Sequence, residues 1–288
     1  MPGGTTLRCL SLILLLTLLP SDETQAPPRG VRPAPRSNAT SASPQAKSLV
    51  AETSRKGVIA LTRNDTAAAR AAFEAARRRQ TAPDAVLSIR QWIAITELYA
   101  GNLAGALHEL ESIAAAAITG GLPSQVRVAH EHSAIVETYL GSRATAASHL
   151  STADSAQSAI PATSYAVRAV VLARLGDRER AHAAASDFAS RQPSRARISF
   201  VQAVVALSAS DVEAAERAIA RAPKNDMLIK AVRAEVFRRR GRATEAAALY
   251  DEVLKSAIQL DGGMQVDPLK LAARLMSRTA AARLTVVR

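Results

Sequence analysis

The five histidines are the side chains in this sequence best suited to metal binding or acid–base catalysis. His130 and His132 lie two residues apart on a predicted helix. They point about 200° apart around its axis, so they do not share a metal ion. His108, His149 and His182 each follow a different predicted turn, where we expect partly exposed helical residues. The sequence therefore predicts no metal site.

Other catalytic patterns are also missing from the sequence. The acidic residues form no pair of the kind that a hydrolase needs, and no nucleophile elbow, phosphate-binding glycine loop, dinucleotide fingerprint or metalloprotease motif occurs. The single cysteine, Cys9, excludes a disulfide framework and a thiolate zinc site. We expect a protein that is not an enzyme, needs no cofactor and takes no small-molecule substrate.

The first 46 residues predict a leader and a linker. Residues 1–26 combine Arg8 with a short apolar run and a polar end, as in a secretory signal peptide. An uncleaved N-terminal membrane anchor is the alternative. Residues 27–46 hold five prolines and three arginines without an acid, which indicates a disordered Pro/Arg-rich linker. We expect an exported protein, periplasmic or envelope-associated.

The composition of the remaining chain predicts an all-α protein. Alanine accounts for 62 of the 288 residues, and only 3% are aromatic. Alanine is the best helix former and is depleted in strands.

A short turn recurs along the helical region at intervals of 31 to 40 residues. In each turn the first residue suits a helix end and the second, except Arg242, suits a helix N-cap. The turns are Asn64-Asp65, Gly101-Asn102, Gly141-Ser142, Gly176-Asp177, Ser210-Asp211 and Gly241-Arg242.

Two small residues keep a fixed distance from every turn. Alanine stands five positions after the first turn residue at 69, 106, 146, 181, 215 and 246. Glycine or alanine stands seven positions before it at 57, 94, 134, 169, 203 and 234. Small residues let two helices approach closely where they cross, so each turn is predicted to join an antiparallel helix pair.

This pattern resembles the tetratricopeptide repeat, a helix–turn–helix unit of about 34 residues. The resemblance implies a right-handed α-solenoid of about six helix pairs over residues 47–288, with first helices on the concave face and second helices behind them. A solenoid needs a polar-faced end. We expect residues 268–285 to form a C-terminal capping helix, with Arg274 pointing outward.

The resemblance also implies which residues line a concave groove. First-helix positions from two to ten residues before each turn are expected to face it, with Tyr99 and Tyr139 as stacked anchors for a peptide. The predicted partner-binding residues are Trp92, Ile95, Tyr99, His132, Ile135, Tyr139, Val170 and Arg174.

Basic residues outnumber acidic ones, giving a formal net charge of +12. Two clusters stand out: Arg77, Arg78 and Arg79, and Arg238, Arg239 and Arg240. Arginines at the end of a helix complement its dipole and need no ligand. Binding of a polyanion is the alternative.

Three functions remain compatible with these observations. The leading one is a non-catalytic scaffold that binds a peptide or helix segment of another protein, in a bacterial envelope assembly or secretion system. The alternative is a membrane-anchored adaptor whose basic surface binds anionic lipid, cell-wall polymer or nucleic acid. The third is a regulatory or substrate-presenting subunit of an enzyme.

Overall fold

The computed structural model describes residues 44–191, 194–256 and 267–286. These ranges contain thirteen α-helices and no strand: α1 (Pro44–Thr62), α2 (Thr66–Arg77), α3 (Pro83–Ala100), α4 (Leu103–Thr119), α5 (Pro123–Leu140), α6 (Arg143–Ser155), α7 (Ala162–Leu175), α8 (Arg178–Arg191), α9 (Arg195–Ser208), α10 (Val212–Ile219), α11 (Met227–Arg239), α12 (Ala243–Lys255) and α13 (Pro268–Val286). The leader and residues 27–43 of the predicted linker lie outside the described residues. Linker residues 44–46 instead belong to α1, where proline suits the first turn. None of the described helices is long and apolar enough to span a membrane.

The six predicted turns are the six places where a helix pair reverses direction. The first residue of each has a positive φ, from 58° at Asn64 to 90° at Gly141. In this left-handed conformation the backbone N–H groups close the preceding helix, as Asn102 N does on Glu97 O at 2.9 Å. Asn64 and Ser210 adopt it without being glycine.

The second turn residue caps the following helix in four of the six turns. Asp65, Asn102 and Asp211 each accept a hydrogen bond from a backbone N–H three residues later, at 2.8–3.0 Å. Asp177 does so at 3.2 Å. Ser142, which the sequence also predicted as a cap, makes no such side-chain bond.

The small residues lie at the helix crossings. All six alanines after the turns, and the five alanines before them, are fully buried. Gly57 occupies the sixth position, and a Cβ there would come within 2.8 Å of the Phe73 ring. Each pair therefore depends on a close approach that larger side chains would prevent.

Substitution of Ala181 by Leu tests this arrangement. Ala181 is fully buried between α7 and α8, so the larger side chain is expected to overpack the crossing and cost about 1–3 kcal/mol of unfolding free energy. Chemical denaturation measures the effect. Ala183→Leu is the matched control, because Ala183 is exposed on the same helix. Equal stabilities of the two variants would contradict the assigned crossing.

The pairs stack into an all-α solenoid with two layers. The first helices α3, α5, α7, α9 and α11 contact one another in order, and each pair's second helix packs behind them. We call the side formed by these first helices the inner face.

Helix α13 packs against the last pair and also enters the inner face. Ala280 and its neighbours contact Ala234, Ala246 and Tyr250 of α11 and α12. The same helix contacts α5 and α7. Arg274, expected to point outward, is only 4% exposed. This expectation was wrong because the helix is covered on more sides than an end cap would be.

Candidate functional site

The inner face is occupied by α13 over two helical turns. Seven consecutive residues, Leu271–Ser277, are all buried, so this part of the helix is enclosed rather than lying on a surface. Its surroundings include α5, α7 and α11. The surface where the sequence placed a groove thus already contains a helix of the same chain.

Tyr99 and Tyr139, the predicted anchor tyrosines, both contact α13, and an arginine stacks on each ring. The Tyr139 hydroxyl donates a hydrogen bond to the Ala272 carbonyl at 3.0 Å. The guanidinium of Arg274 lies 3.7 Å from the Tyr99 ring centroid, and that of Arg174 lies 3.8 Å from the Tyr139 ring centroid. Burial raises the pKa of both tyrosine hydroxyls. The tyrosines and Arg174 therefore lie on the inner face, with cations stacked on the rings.

Four other predicted groove residues belong to the core. Trp92 stacks on Phe73 of α2, with ring centroids 5.6 Å apart. Ile95, Ile135 and Val170 are each 1% exposed. These side chains pack between helices, so they do not line an open groove.

An open cavity of about 480 Å³ lies on the inner face at the beginning of α13. Gln91 of α3 and Gln125 of α5 lie in its wall, joined by an amide hydrogen bond of 2.6 Å. Ile160, 43% exposed, also lines it. The remaining described lining residues are Ser88, Ser124, Arg127, Val128, Glu131, His132, Ser158, Ala159, Pro161, Thr163, Arg197, Asp267 and Pro268.

Buried Arg127 holds the loop that carries Ile160. It donates hydrogen bonds to the Ser158 hydroxyl at 3.0 Å and to the Ala156 carbonyl at 2.7 Å. Glu131 lies in the same wall, and burial raises the pKa of its carboxyl. The cavity thus offers an apolar edge beside carboxamide and carboxyl groups, which suits a peptide segment better than a simple ion.

His132 makes folding sensitive to acid. Burial lowers the pKa of its imidazole to about 4, against an ordinary value of 6.5. The unfolded chain therefore binds a proton at this site in the range between these values, and stability is full above pH 6.5 and falls towards pH 4. We expect a loss of about 2 kcal/mol at pH 5 relative to pH 7.5 from this residue.

Replacement of His132 by Gln is expected to remove this part of the acid dependence. Urea denaturation of wild type and variant at the two pH values measures it. His182→Gln is the control, because His182 is exposed on α8. An unchanged acid dependence in His132→Gln would assign the effect to other groups.

The second basic cluster has a structural role. Glu235 of α11 accepts hydrogen bonds from Arg238, Arg239 and the Tyr250 hydroxyl, at 2.6–2.8 Å. Arg239 also donates to the Leu207 carbonyl at 2.6 Å, and Arg240 pairs with Glu216. Burial would raise the pKa of Glu235, but the hydrogen bonds from these partners lower it to about 2.

The first basic cluster is more open. Arg77, Arg78 and Arg79 are exposed at the end of α2, where Arg77 pairs with Glu74 at 2.9 Å. These cations lie near the negative end of a helix dipole, which favours them without a ligand.

Sequence reasoning missed one pair of histidines. His130 Nδ1 lies 2.9 Å from His149 Nδ1, so α5 and α6 bring together two rings 19 residues apart. Burial and the neighbouring His149 lower the pKa of His130. The described residues include no group of three or more metal-ligating side chains. The spacing of the helix pair could have indicated this contact, because both residues lie in the middle of facing helices.

Residues 167–228 match the family model of the tetratricopeptide repeat. This segment runs from α7 through α10 into α11, and its two turn residues, Gly176 and Ser210, have the left-handed conformation found in all six turns. Over residues 167–228 the helix pairs are similar to tetratricopeptide repeats.

The comparison with solved structures adds one similar tetratricopeptide repeat protein, from Parabacteroides merdae. The two share 13% identity, and the alignment covers 78% of this chain and 99% of the other with a TM-score of 0.35. No curated protein sequence matches the chain. Tetratricopeptide repeats generally mediate protein–protein interaction and are typically non-catalytic.

Proposed function

We propose that this protein is a non-catalytic scaffold that binds a segment of another protein on its inner face. The observation that supports it is the enclosure of Leu271–Ser277 by the first helices, because a face that receives one helix has the shape and apolar surface to receive a protein segment. The cavity beside α13 leaves part of this face open. We further propose, from the leader alone, that it acts in a bacterial envelope assembly or secretion system.

The contacts of the basic clusters favour this function over an anionic-surface adaptor. Arg238, Arg239 and Arg240 are engaged by acidic side chains of the chain itself. Their positive charge is largely compensated locally, which weakens the field available to a polyanion.

In-cell photo-crosslinking tests the proposal at defined positions. A photoreactive residue replaces Ile160 at the cavity edge in one strain and Ile118 in another. Ile118, 63% exposed on the second helix α4, is the matched control. We expect a discrete adduct with one protein from position 160 and none from position 118. Adducts from position 118 alone would overturn the proposal.

A substitution in the arginine cluster separates the two functions. Changing Arg77, Arg78 and Arg79 together to Gln is expected to leave the adduct at position 160 intact, since these residues lie at the C-terminal end of α2 and do not line the cavity. Loss of the adduct in this variant would favour the electrostatic function.

A further inference from the structure

Helix α13 shows which chemical groups the inner face recognises. Three helix pairs supply contacts to it from their turn ends. The Arg274 guanidinium donates to Asn64 Oδ1 at 3.1 Å and stacks on the Tyr99 ring. Arg278 donates to the Tyr99 carbonyl at 2.9 Å, at the negative end of α3. Two arginines one turn apart are therefore bound by the Tyr99 ring, the side-chain oxygen of Asn64 and the C-terminal end of α3.

The helix backbone is contacted as well. The Tyr139 hydroxyl reaches the carbonyl of Ala272 inside α13. Such a contact requires a small residue at this point, because a longer side chain would keep the tyrosine away from the backbone. Ala272 and Ala273 are both fully buried. Leu271 and Leu275 complete the apolar part of the recognised surface at 3% and 2% exposure.

The docked helix is an imperfect occupant. Arg274 is 4% exposed and has no carboxylate partner among the described residues, and its Nε has no hydrogen-bond partner there. The buried Ser277 hydroxyl also has no hydrogen-bond partner among the described residues. Burial accordingly lowers the pKa of Arg274. A buried cation with incomplete hydrogen bonding costs free energy, which offsets part of the gain from the leucines.

Charge adds to this cost. Helix α13 carries four basic residues and no acid. The first helices α3, α5, α7, α9 and α11 together carry ten basic and five acidic residues. Shape complementarity and local contacts therefore hold α13 in place despite the repulsion between its positive charge and the net positive charge of the first helices.

We propose that α13 is an exchangeable internal ligand, and that the partner is an amphipathic helix of the same chemistry. This inference rests on the proposed function. The partner helix presents two leucine-like residues one turn apart, small residues between them, and an arginine in the position of Arg278. It displaces the Leu271–Arg278 segment and makes the same contacts with the Tyr99 carbonyl and the Tyr139 hydroxyl.

A labelled peptide of sequence 268–286 tests the exchange on the full chain. In the variant Leu275→Asp a carboxylate replaces a buried side chain, which releases the chain's own helix. We expect this variant to bind the peptide about tenfold more tightly than wild type. In wild type α13 occupies the inner face in most molecules, so only a small fraction of them can bind the peptide. Circular dichroism and cooperative melting confirm that the variant remains folded.

Two altered peptides test the chemistry. A peptide with Arg278→Glu is expected to bind about tenfold more weakly, since it places a carboxylate against the Tyr99 carbonyl. A peptide with Arg283→Glu has the same charge change at an exposed position and is expected to bind like the original. Equal binding of both altered peptides would overturn the role of arginine but leave the scaffold proposal intact.

Hydrogen exchange of the wild-type chain provides a test that does not depend on a variant. Amides of residues 271–277 are expected to exchange faster than those in the middle of α5, because an exchangeable helix opens locally without global unfolding. Equal protection of the two segments, or no peptide binding to a folded Leu275→Asp variant, would overturn the exchange. The crosslink at position 160 then decides separately whether the inner face binds a partner at all.

Discussion

Replacement of Trp92 by Ala is expected to lower the free energy of unfolding by about 3–5 kcal/mol. Trp92 is 1% exposed and stacks on Phe73, which is fully buried between α1 and α2. Removing the indole leaves a cavity where α2 and α3 meet, and neighbouring helices of a solenoid relax only partly into it. Thermal and chemical denaturation measure the loss.

Ile160→Ala is the control for this prediction. Ile160 is 43% exposed at the cavity edge, so its truncation is expected to change stability by less than about 0.5 kcal/mol. If Trp92→Ala were as stable as wild type but failed to form the adduct at position 160, Trp92 would be a partner contact after all and its placement in the core would be refuted.

Replacement of Glu235 by Ala is expected to cost about 3 kcal/mol. The carboxylate is the common acceptor for Arg238, Arg239 and Tyr250, which link α11 to α12 and, through Arg239, to the end of α9. Without it, two partly buried guanidinium groups and a buried phenol lose their partner. Denaturation of the variant at neutral pH measures the cost.

The contribution of the Glu235 carboxylate to the free energy of unfolding changes with pH in a defined direction. Its pKa is lowered to about 2 in the folded chain, so its contribution is complete above the ordinary carboxyl value of about 4.5 and disappears as the pH falls towards 2. The stabilities of wild type and Glu235→Ala should converge in acid. Glu245→Ala is the control, because Glu245 pairs with Arg242 on the surface, where solvent screens the pair, and is expected to contribute much less than Glu235. A constant difference between wild type and Glu235→Ala from pH 7 to pH 2 would contradict the ionised network.

The sequence by itself determined the repeat unit. The residues that open the turns need a left-handed backbone, and the alanines flanking them need a close crossing. Both requirements are local, acting within about 20 residues, so they can be recognised from spacing alone. The same reasoning predicted a helix over residues 268–285, because the apolar periodicity there is a local signal, and α13 spans Pro268–Val286.

Only the tertiary structure decided what each inner-face residue contacts. Trp92 and Tyr99 lie on one helix with similar apolar character, yet one packs on α2 and the other faces Arg274 from the far end of the chain. The position of α13 depends on how the first helices curve around it. That curvature is the sum of the small rotations between successive helix pairs. No local pattern fixes that sum, so the burial of Arg274 and the hydrogen bond from Arg239 to the Leu207 carbonyl emerge only when the helix pairs are in place.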